Sequence, residues 1–426
     1  MTTAPAPLSS RARALGLLPL ALWAAWAWAW ASGIWHADLA AIWFAGHLHA
    51  TGADDLIYAA PDLFFGGTPP AWAPLQESLG ADAQNIAFPY IYPPLWAGIV
   101  APFAETLSPR GYFRLVLAVH IAMLAGSVLM AERLARPGWM PPLVFIGWSV
   151  AGLSLTTVGD TLLLLNQPSI TVAFLTLAAL SLIEARPRLA GLALAGAAAI
   201  KITPIAFAAL FVQARRPAAL LPFALGLGAL AMASVALMGW PLHRAFLEQL
   251  ARAGETSVLI KVNPSLRVLA RAAADGLGLA PMQILLEDRA GATVLVAMPA
   301  WPGRLAAGLA LALGVPALAL AARRHGRAAR TLTALGLALG IFLFGPLSWL
   351  HYLLIPMLLL PALGATLGPR PTGAVMLAAL AVHSRDLMAL YGRGAEGSLA
   401  HGAVVCGFWL LVLGATLVAL SRCPRD

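Results

Sequence analysis

Long apolar runs, each about the length of a bilayer crossing, divide this chain, and short polar breaks separate them. The runs cover roughly 15–30, 92–107, 114–131, 140–158, 168–185, 189–213, 217–239, 304–321, 331–347, 352–367, 371–391 and 400–420. They read as helices, because runs this long and unbroken do not suit the short alternating strands of a membrane barrel. Two of them carry interior breaks. The run 92–107 is short and holds Pro93, Pro94 and Pro102, so it is expected to be re-entrant. The run 189–213 is expected to form two half-helices meeting at Lys201 and Pro204. This gives ten full spans and two partial ones, or twelve spans if both partial segments cross. Two hydrophilic stretches interrupt the series, at 33–91 and at 240–303.

Sidedness follows from the charges. The arginine pair Arg11 and Arg13 precedes the first run, which lacks a clear cleavage site and reads as a retained helix. Arg133, Arg136, Arg186, Arg188, Arg215, Arg216, Arg323, Arg324, Arg327, Arg330, Arg370, Arg422 and Arg425 mark the turns expected on the cytoplasmic side. Between residues 33 and 109 there are seven acids (Asp38, Asp54, Asp55, Asp62, Glu77, Asp82 and Glu105) and no Lys or Arg, the profile of an extracytoplasmic loop. The stretch 240–303 is then expected outside as well. Tryptophans 23, 26, 28, 30 and 35 crowd the outer end of the first run as an interfacial belt.

Composition narrows the class. Of 426 residues, 60% are hydrophobic and 11% charged, against about 25% charged in soluble domains. The mean hydropathy is +0.82. A water-soluble fold cannot hide that much apolar surface. The expected fold is therefore a single all-α polytopic membrane domain over residues 1–426. The net charge of +9 comes from residues scattered between apolar runs, so it marks topology and not a nucleic-acid partner. Two cysteines, Cys406 and Cys423, imply no disulfide framework. Nucleotide-binding glycine motifs and an Asp-x-Asp metal motif are absent.

Few polar residues remain to carry chemistry. Asp38 follows the first helix at the outer boundary, where it is either a general base or a solvated loop acid. His36, His47 and His49 lie nearby, but their spacing fits no zinc template. Asp160 and the run Asn166-Gln167-Pro168-Ser169 interrupt an apolar stretch, either lining a polar cavity or forming an external turn. Lys201 is one of only two lysines and has apolar neighbours on both sides, so it requires an anion, water or a snorkelling path. Lys261, Asn263, Ser265 and Arg267 together suit phosphate or sugar hydroxyls, with a solvated loop as the plainer reading. His351 would add a donor to an anion site if it faces inward, while Trp349 and Tyr352 also fit an interfacial belt.

Six segments taken in order resemble a known family. They are Asp38 followed by Gly52 and Tyr58; Tyr92-Pro93-Pro94-Leu95; Asn166-Gln167-Pro168-Ser169; Gly191 through Lys201-Ile202-Thr203-Pro204; Asn263-Pro264-Ser265-Leu266; and Pro346-Leu347-Ser348-Trp349-Leu350-His351. The sequence resembles the polyprenol-phosphate-mannose-dependent mannosyltransferases of glycosyltransferase family 87, within the GT-C superfamily. Asn166 stands where a glycine is usual, and Pro264 where a glutamine-like residue is common. The resemblance implies a GT-C fold of about 10–12 transmembrane helices in the plasma (inner) membrane. It implies a polyprenyl-phosphate sugar donor, a glycolipid or glycan acceptor, and an active site facing the extracytoplasmic side with 33–91 as catalytic loop. Asp38 would be the catalytic base, and Lys201, Arg267, His351 and Lys261 would bind the donor phosphate. Tyr92, Asn166, Gln167, Asn263, Ser265 and Trp349 would line the substrate pocket. No cofactor and no metal is implied. The competing readings are a transporter or lipid flippase, suggested by the broken helices, and a non-catalytic assembly subunit.

Overall fold

The computed structural model describes residues 10–79, 85–287 and 293–425, with side chains from residue 17 onward. Asp82 and the Arg11 and Arg13 side chains lie outside the described residues. The chain is a helical membrane protein. Six described helices are long and apolar enough to cross a bilayer: Pro109–Ala135, Pro217–Glu255, Ala300–Ala322, Gly326–Phe344, Leu350–Leu367 and Gly394–Ser421. A seventh span arises if Thr157–Leu165 and Ser169–Leu182, bent by 112° at their junction, count as one. The first helix, Ser10–Ala31, has 22 residues. Among the described residues, Pro142–Leu155, Pro187–Ile200 and Thr203–Gln213 are apolar helices of less than full length, and the run 371–391 holds the 14-residue helix Pro369–Val382. Their shortness has a local cause. Thr156 and Lys201 each stop a helix inside what reads in sequence as one apolar run, and Asn166-Gln167-Pro168 stops another in the gap between two runs.

The arginine-marked turns converge on one end of the bundle. Arg327 donates to the Arg133 carbonyl at 2.9 Å, and Arg330 pairs with Glu184 at 2.9 Å. Arg216 pairs with the same glutamate. Gln213 donates to the Ala321 carbonyl at 3.1 Å, and Arg324 to the Cys423 carbonyl at 2.6 Å. These contacts join the turns after Ala135, Leu182, Gln213 and Ala322 to the C-terminal tail. Because Pro187 and Gln213 both sit at this end, 187–213 enters and returns, as expected of two half-helices. The rising helix Pro187–Ile200 has 14 residues and so climbs about 21 Å before it stops at Lys201. The break frees backbone carbonyls, and the Trp96 indole caps one of them, Ala199, at 3.0 Å.

Residues 92–107 do not cross either. Leu95–Thr106 is a 12-residue helix packed along Ala37–Ala50, with Gly46 letting the Val100 side chain approach closely. Arg110 and Arg114 then donate to the Gly33 and Ser32 carbonyls, both at 3.2 Å. The start of Pro109–Ala135 therefore lies beside the end of the first helix, opposite the arginine-rich end.

Two features of 240–303 depart from a plain loop. The helix Pro217–Glu255 runs on into it after a break at Gly239, whose φ of 73° only glycine adopts easily. Thr256–Leu259, Ile284–Glu287 and Val294–Ala297 then form a small antiparallel sheet with the last strand in the middle. The all-α expectation thus holds for the membrane bundle and gives way here. This segment alternates short apolar stretches with turns, a strand pattern too brief to register among 20-residue runs.

In a bilayer, helices associate through close packing more than through burial from water. The Ala/Gly-rich helix Pro187–Ile200 shows this against Pro217–Glu255. A side chain on Gly191 would meet the Ala219 carbonyl and come within 2.9 Å of the Phe223 amide. Gly191→Leu should wedge the two helices apart and cost about 1–3 kcal/mol. Gly308, with open space around it, should accept alanine without effect. Thermal melts of both variants in one detergent test this, and equal melting temperatures would contradict it.

Candidate functional site

Five chain segments meet at the end opposite the arginines and present polar groups: those of Asp38, Tyr92, Gln167, Lys201, and His351 with Tyr352. Asp38 is the second residue of Ala37–Ala50, in a first helical turn where exposed backbone amides favour a carboxylate. Asn166 ends Thr157–Leu165 in the left-handed conformation, φ 46° and ψ 53°, which asparagine tolerates better than most side chains. Pro168 follows and lacks the amide needed to continue the ladder, so the chain turns and Gln167 projects from the corner. Lys201 caps Pro187–Ile200 with extended backbone. His351 and Tyr352 lie on the 3₁₀ turn Leu350–Leu353.

The Gln167 amide joins these groups. Its Nε2 donates to Asp38 Oδ2. Its Oε1 accepts from the Tyr92 hydroxyl at 3.0 Å and from Lys201 Nζ at 3.4 Å. Both donors stand on one side and the carboxylate on the other, which fixes the orientation of the amide. Lys201 Nζ also donates to Ser169 Oγ at 2.8 Å and sits 4.8 Å from the centre of the Tyr352 ring. The ammonium therefore has a hydroxyl, an amide oxygen and an aromatic face around it, with a carboxylate one side chain away.

The electrostatics follow from burial. Asp38 is only partly exposed, and burial pushes its carboxyl up to about 6, with the Lys201 charge pulling the other way. Burial also raises the Tyr92 phenol well above its ordinary value, so it stays protonated and donates. Tyr92 is itself held in place, since the Tyr58 hydroxyl donates to its carbonyl at 2.8 Å.

A cavity of about 50 Å³, room for about three waters, opens beside Lys201. Its polar lining is Ser169, Thr176, Lys201, Thr203, His351 and Tyr352, and the rest is apolar, including Val172, Phe207, Ile341 and Ile355. The His351 ring is 3% exposed, and its Nε2 has no partner. A buried ring nitrogen left open at a cavity with a cation is a ready place for an anion or its water.

Residues 90–346 match the model of glycosyltransferase family 87, more than half of the chain. This protein belongs to that family. No curated protein and no solved structure matches the chain. The matched stretch holds Tyr92, Gln167 and Lys201 but begins beyond Asp38, so the carboxylate joins this candidate site through geometry alone. Ser169 and Tyr352 complete the surroundings of Lys201. They stood in motifs legible in the sequence, yet only their distances to Nζ mark them.

The other expected site residues of this family 87 enzyme fall elsewhere. Asn166 is fully buried behind the corner, held by His120 at 2.7 Å and by the Phe113 carbonyl at 3.0 Å. Lys261 donates to the Met388 carbonyl at 2.8 Å. Asn263 donates to the Val258 carbonyl and accepts from the Ser348 amide, both at 3.0 Å, and so ties the second loop to the turn that carries His351. Ser265 precedes Leu266–Gly276 with its buried hydroxyl unpartnered. Arg267 donates to the Pro346 carbonyl at 3.2 Å. Trp349 stacks over His351 at 6.3 Å and meets Phe65 of the first loop edge-on at 6.3 Å. The three histidines near Asp38 take separate partners: the Leu164 carbonyl for His36, the Trp43 ring for His47 and Asp54 for His49.

Of the basic residues in the sequence-derived set, Lys201 alone touches the Gln167 amide. Lys201→Met should reduce sugar transfer by about 100-fold or more, the usual effect of removing one preorganised charge-stabilising donor. Lys261→Met should cost at most a few-fold. Transfer measured on both purified variants decides this, and a reversed order would remove Lys201 from the centre of the site.

Proposed function

We infer that this glycosyltransferase takes its sugar, expected to be mannose, from a polyprenyl-phosphate donor and passes it to a hydroxyl of a glycolipid or glycan. The observation that carries this reading is the joining of Asp38 and Lys201 through Gln167 beside a cavity whose far wall is apolar. A phosphate on a lipid tail needs a cation next to apolar surface, and Lys201 with the apolar wall supplies both. The carboxylate on the other side of the amide suits a base for the incoming hydroxyl.

The chemistry is one displacement. The acceptor oxygen forms a bond to the anomeric carbon as the bond from that carbon to the phosphate oxygen breaks. The hydroxyl proton passes to Asp38, and the polyprenyl phosphate leaves with the bonding pair. Lys201 and the open Nε2 of His351 stabilise the charge that gathers on the phosphate. Phosphate is a good leaving group, so no strong acid is required. Attack from the opposite face inverts the anomeric centre.

The arginine-rich end supports a cytoplasmic placement of that face under the positive-inside rule. The site then faces the extracytoplasmic side of the plasma membrane, and the helical architecture is read as a GT-C fold.

The test is purified enzyme incubated with polyprenyl-phosphate-mannose and candidate glycolipid acceptors, with products read by mass spectrometry. Asp38→Asn should lower turnover by about 10³-fold while the melting temperature holds, in line with loss of a general base. Retained turnover would remove Asp38 from that role, and transfer from a nucleotide sugar alone would overturn the donor assignment. Because the working base must be deprotonated, kcat/KM should be flat above pH 6 and fall about tenfold per unit well below it. A profile without an acid limb near pH 6 contradicts this.

A further inference from the structure

Behind the Gln167 corner lies a second, largely buried polar cluster that the transfer chemistry does not touch. His120 projects from the middle of Pro109–Ala135 and is 4% exposed. Its Nδ1 lies 2.7 Å from Asn166 Oδ1, and its Nε2 lies 3.1 Å from Thr171 Oγ1. The tautomer follows from the amide. Asn166 uses its Nδ2 as donor to the Phe113 carbonyl, so Oδ1 can only accept, and the Nδ1 of His120 must carry a proton. Nε2 of the neutral ring then accepts from Thr171.

This imidazole bridges both sides of the bend. Asn166 ends one helix and Thr171 begins the next, and the two axes diverge by 112° there. An unsupported left-handed asparagine in an apolar interior would have two unsatisfied polar groups and a choice of backbone states. With His120 and the Phe113 carbonyl in place, both groups are satisfied and a single backbone state is favoured. Gln167 is the next residue, and its side chain has to reach Asp38 on one side and Lys201 on the other. A shift of about 1 Å at the corner is enough to lose either contact.

We propose that His120 is a positioning residue of the transfer reaction, holding the Asn166 hinge and through it the Gln167 amide in the gap between Asp38 and Lys201. The proposal rests on the roles given above to Asp38 and Lys201. It adds a residue on another helix, remote from the reacting atoms, on whose proton-bearing nitrogen the geometry of the site depends.

The imidazole can be dissected by amides. Asn places its NH₂ where Nδ1 stands, whereas Gln places its amide oxygen where the accepting Nε2 stands. His120→Asn therefore keeps the donor to Asn166, His120→Gln keeps only the contact to Thr171, and His120→Leu removes both. The Gln and Leu variants should lose about 100-fold in kcat, the size of effect that a 1 Å misplacement produces, with little change in KM, and Asn should restore most of it. The acid limb of kcat/KM should also move to higher pH in the Gln and Leu variants, because Asp38 loses the hydrogen bond that favours its charged form. The other groups facing Asp38 are Lys201, Tyr92 and Tyr352, and His36 faces His120; none of them is altered.

Equal kcat in the Asn and Gln variants, or equal losses in all three with an unmoved acid limb, would overturn the proposal. Should His120→Leu fail to fold, the Asn and Gln pair carries the comparison. A cryo-EM structure of His120→Gln gives the arm that needs no turnover: displacement of Gln167 from Asp38 supports the proposal, and an unchanged Gln167 overturns it. Wild-type enzyme that transfers nothing from polyprenyl-phosphate-mannose would instead defeat the assigned donor and leave the structural arm to decide.

Discussion

A positive and a negative side chain share a small, largely enclosed space, and each needs a partner that is not simply the other. A carboxylate in direct contact with an ammonium would neutralise both and leave no room for a substrate. Gln167 solves this by standing between them, donating to Asp38 and accepting from Lys201. The amide keeps each charge hydrogen-bonded, which a buried ion requires. It also keeps them apart, which a displacement with a base on one side and a leaving anion on the other requires.

The rest of the bundle reads as support for that amide. Two helices stop short to bring it about. Thr157–Leu165 ends at a left-handed asparagine, and Pro187–Ile200 ends at Lys201 about 21 Å from its start. Broken helices at membrane depth expose backbone groups, so they persist only where protein takes those groups up. Here the Trp96 indole takes the Ala199 carbonyl, and His36 takes the Leu164 carbonyl. Close Gly and Ala packing holds Pro187–Ile200 against Pro217–Glu255, with Gly191 set against the Ala219 carbonyl. The segment Leu350–Leu367, 78% buried, forms the opposite wall and brings His351 and Tyr352 to the cavity.

Much of this was legible in the residues. Prolines at 93, 94 and 102 predicted a segment that does not cross, and Lys201 with Pro204 predicted two half-helices. The arginine turns predicted a common end, and contacts such as Arg327 with the Arg133 carbonyl join them there. Other parts were not legible. Lys261, Arg267, Asn263 and Ser265 form a polar run that suits phosphate as well as Lys201 does, yet their partners are carbonyls and amides of the second loop and its neighbours, apart from the unpartnered Ser265 hydroxyl. Nothing in a local string distinguishes a cation that meets a ligand from one that caps a backbone. The three-stranded sheet escaped for a related reason, since its strands are four residues each and belong to no long periodic run.

The breaks at Thr156 and Gly239 came only with the structure. By itself the sequence determined the class of solvent, the end that carries the arginines and two of the places where helices break, at 92–107 and at Lys201. These are one-dimensional quantities: hydrophobicity per run, charge per turn, and proline or a lone cation inside an apolar stretch. Only the tertiary structure decided that Asp38 and Gln167, 129 positions apart, share a hydrogen bond, and that a histidine on a third helix meets the neighbouring Asn166. Such pairings depend on how side chains project across packed helices. A shift of a single residue along any one of those helices turns the side chain by about 100° and breaks the contact.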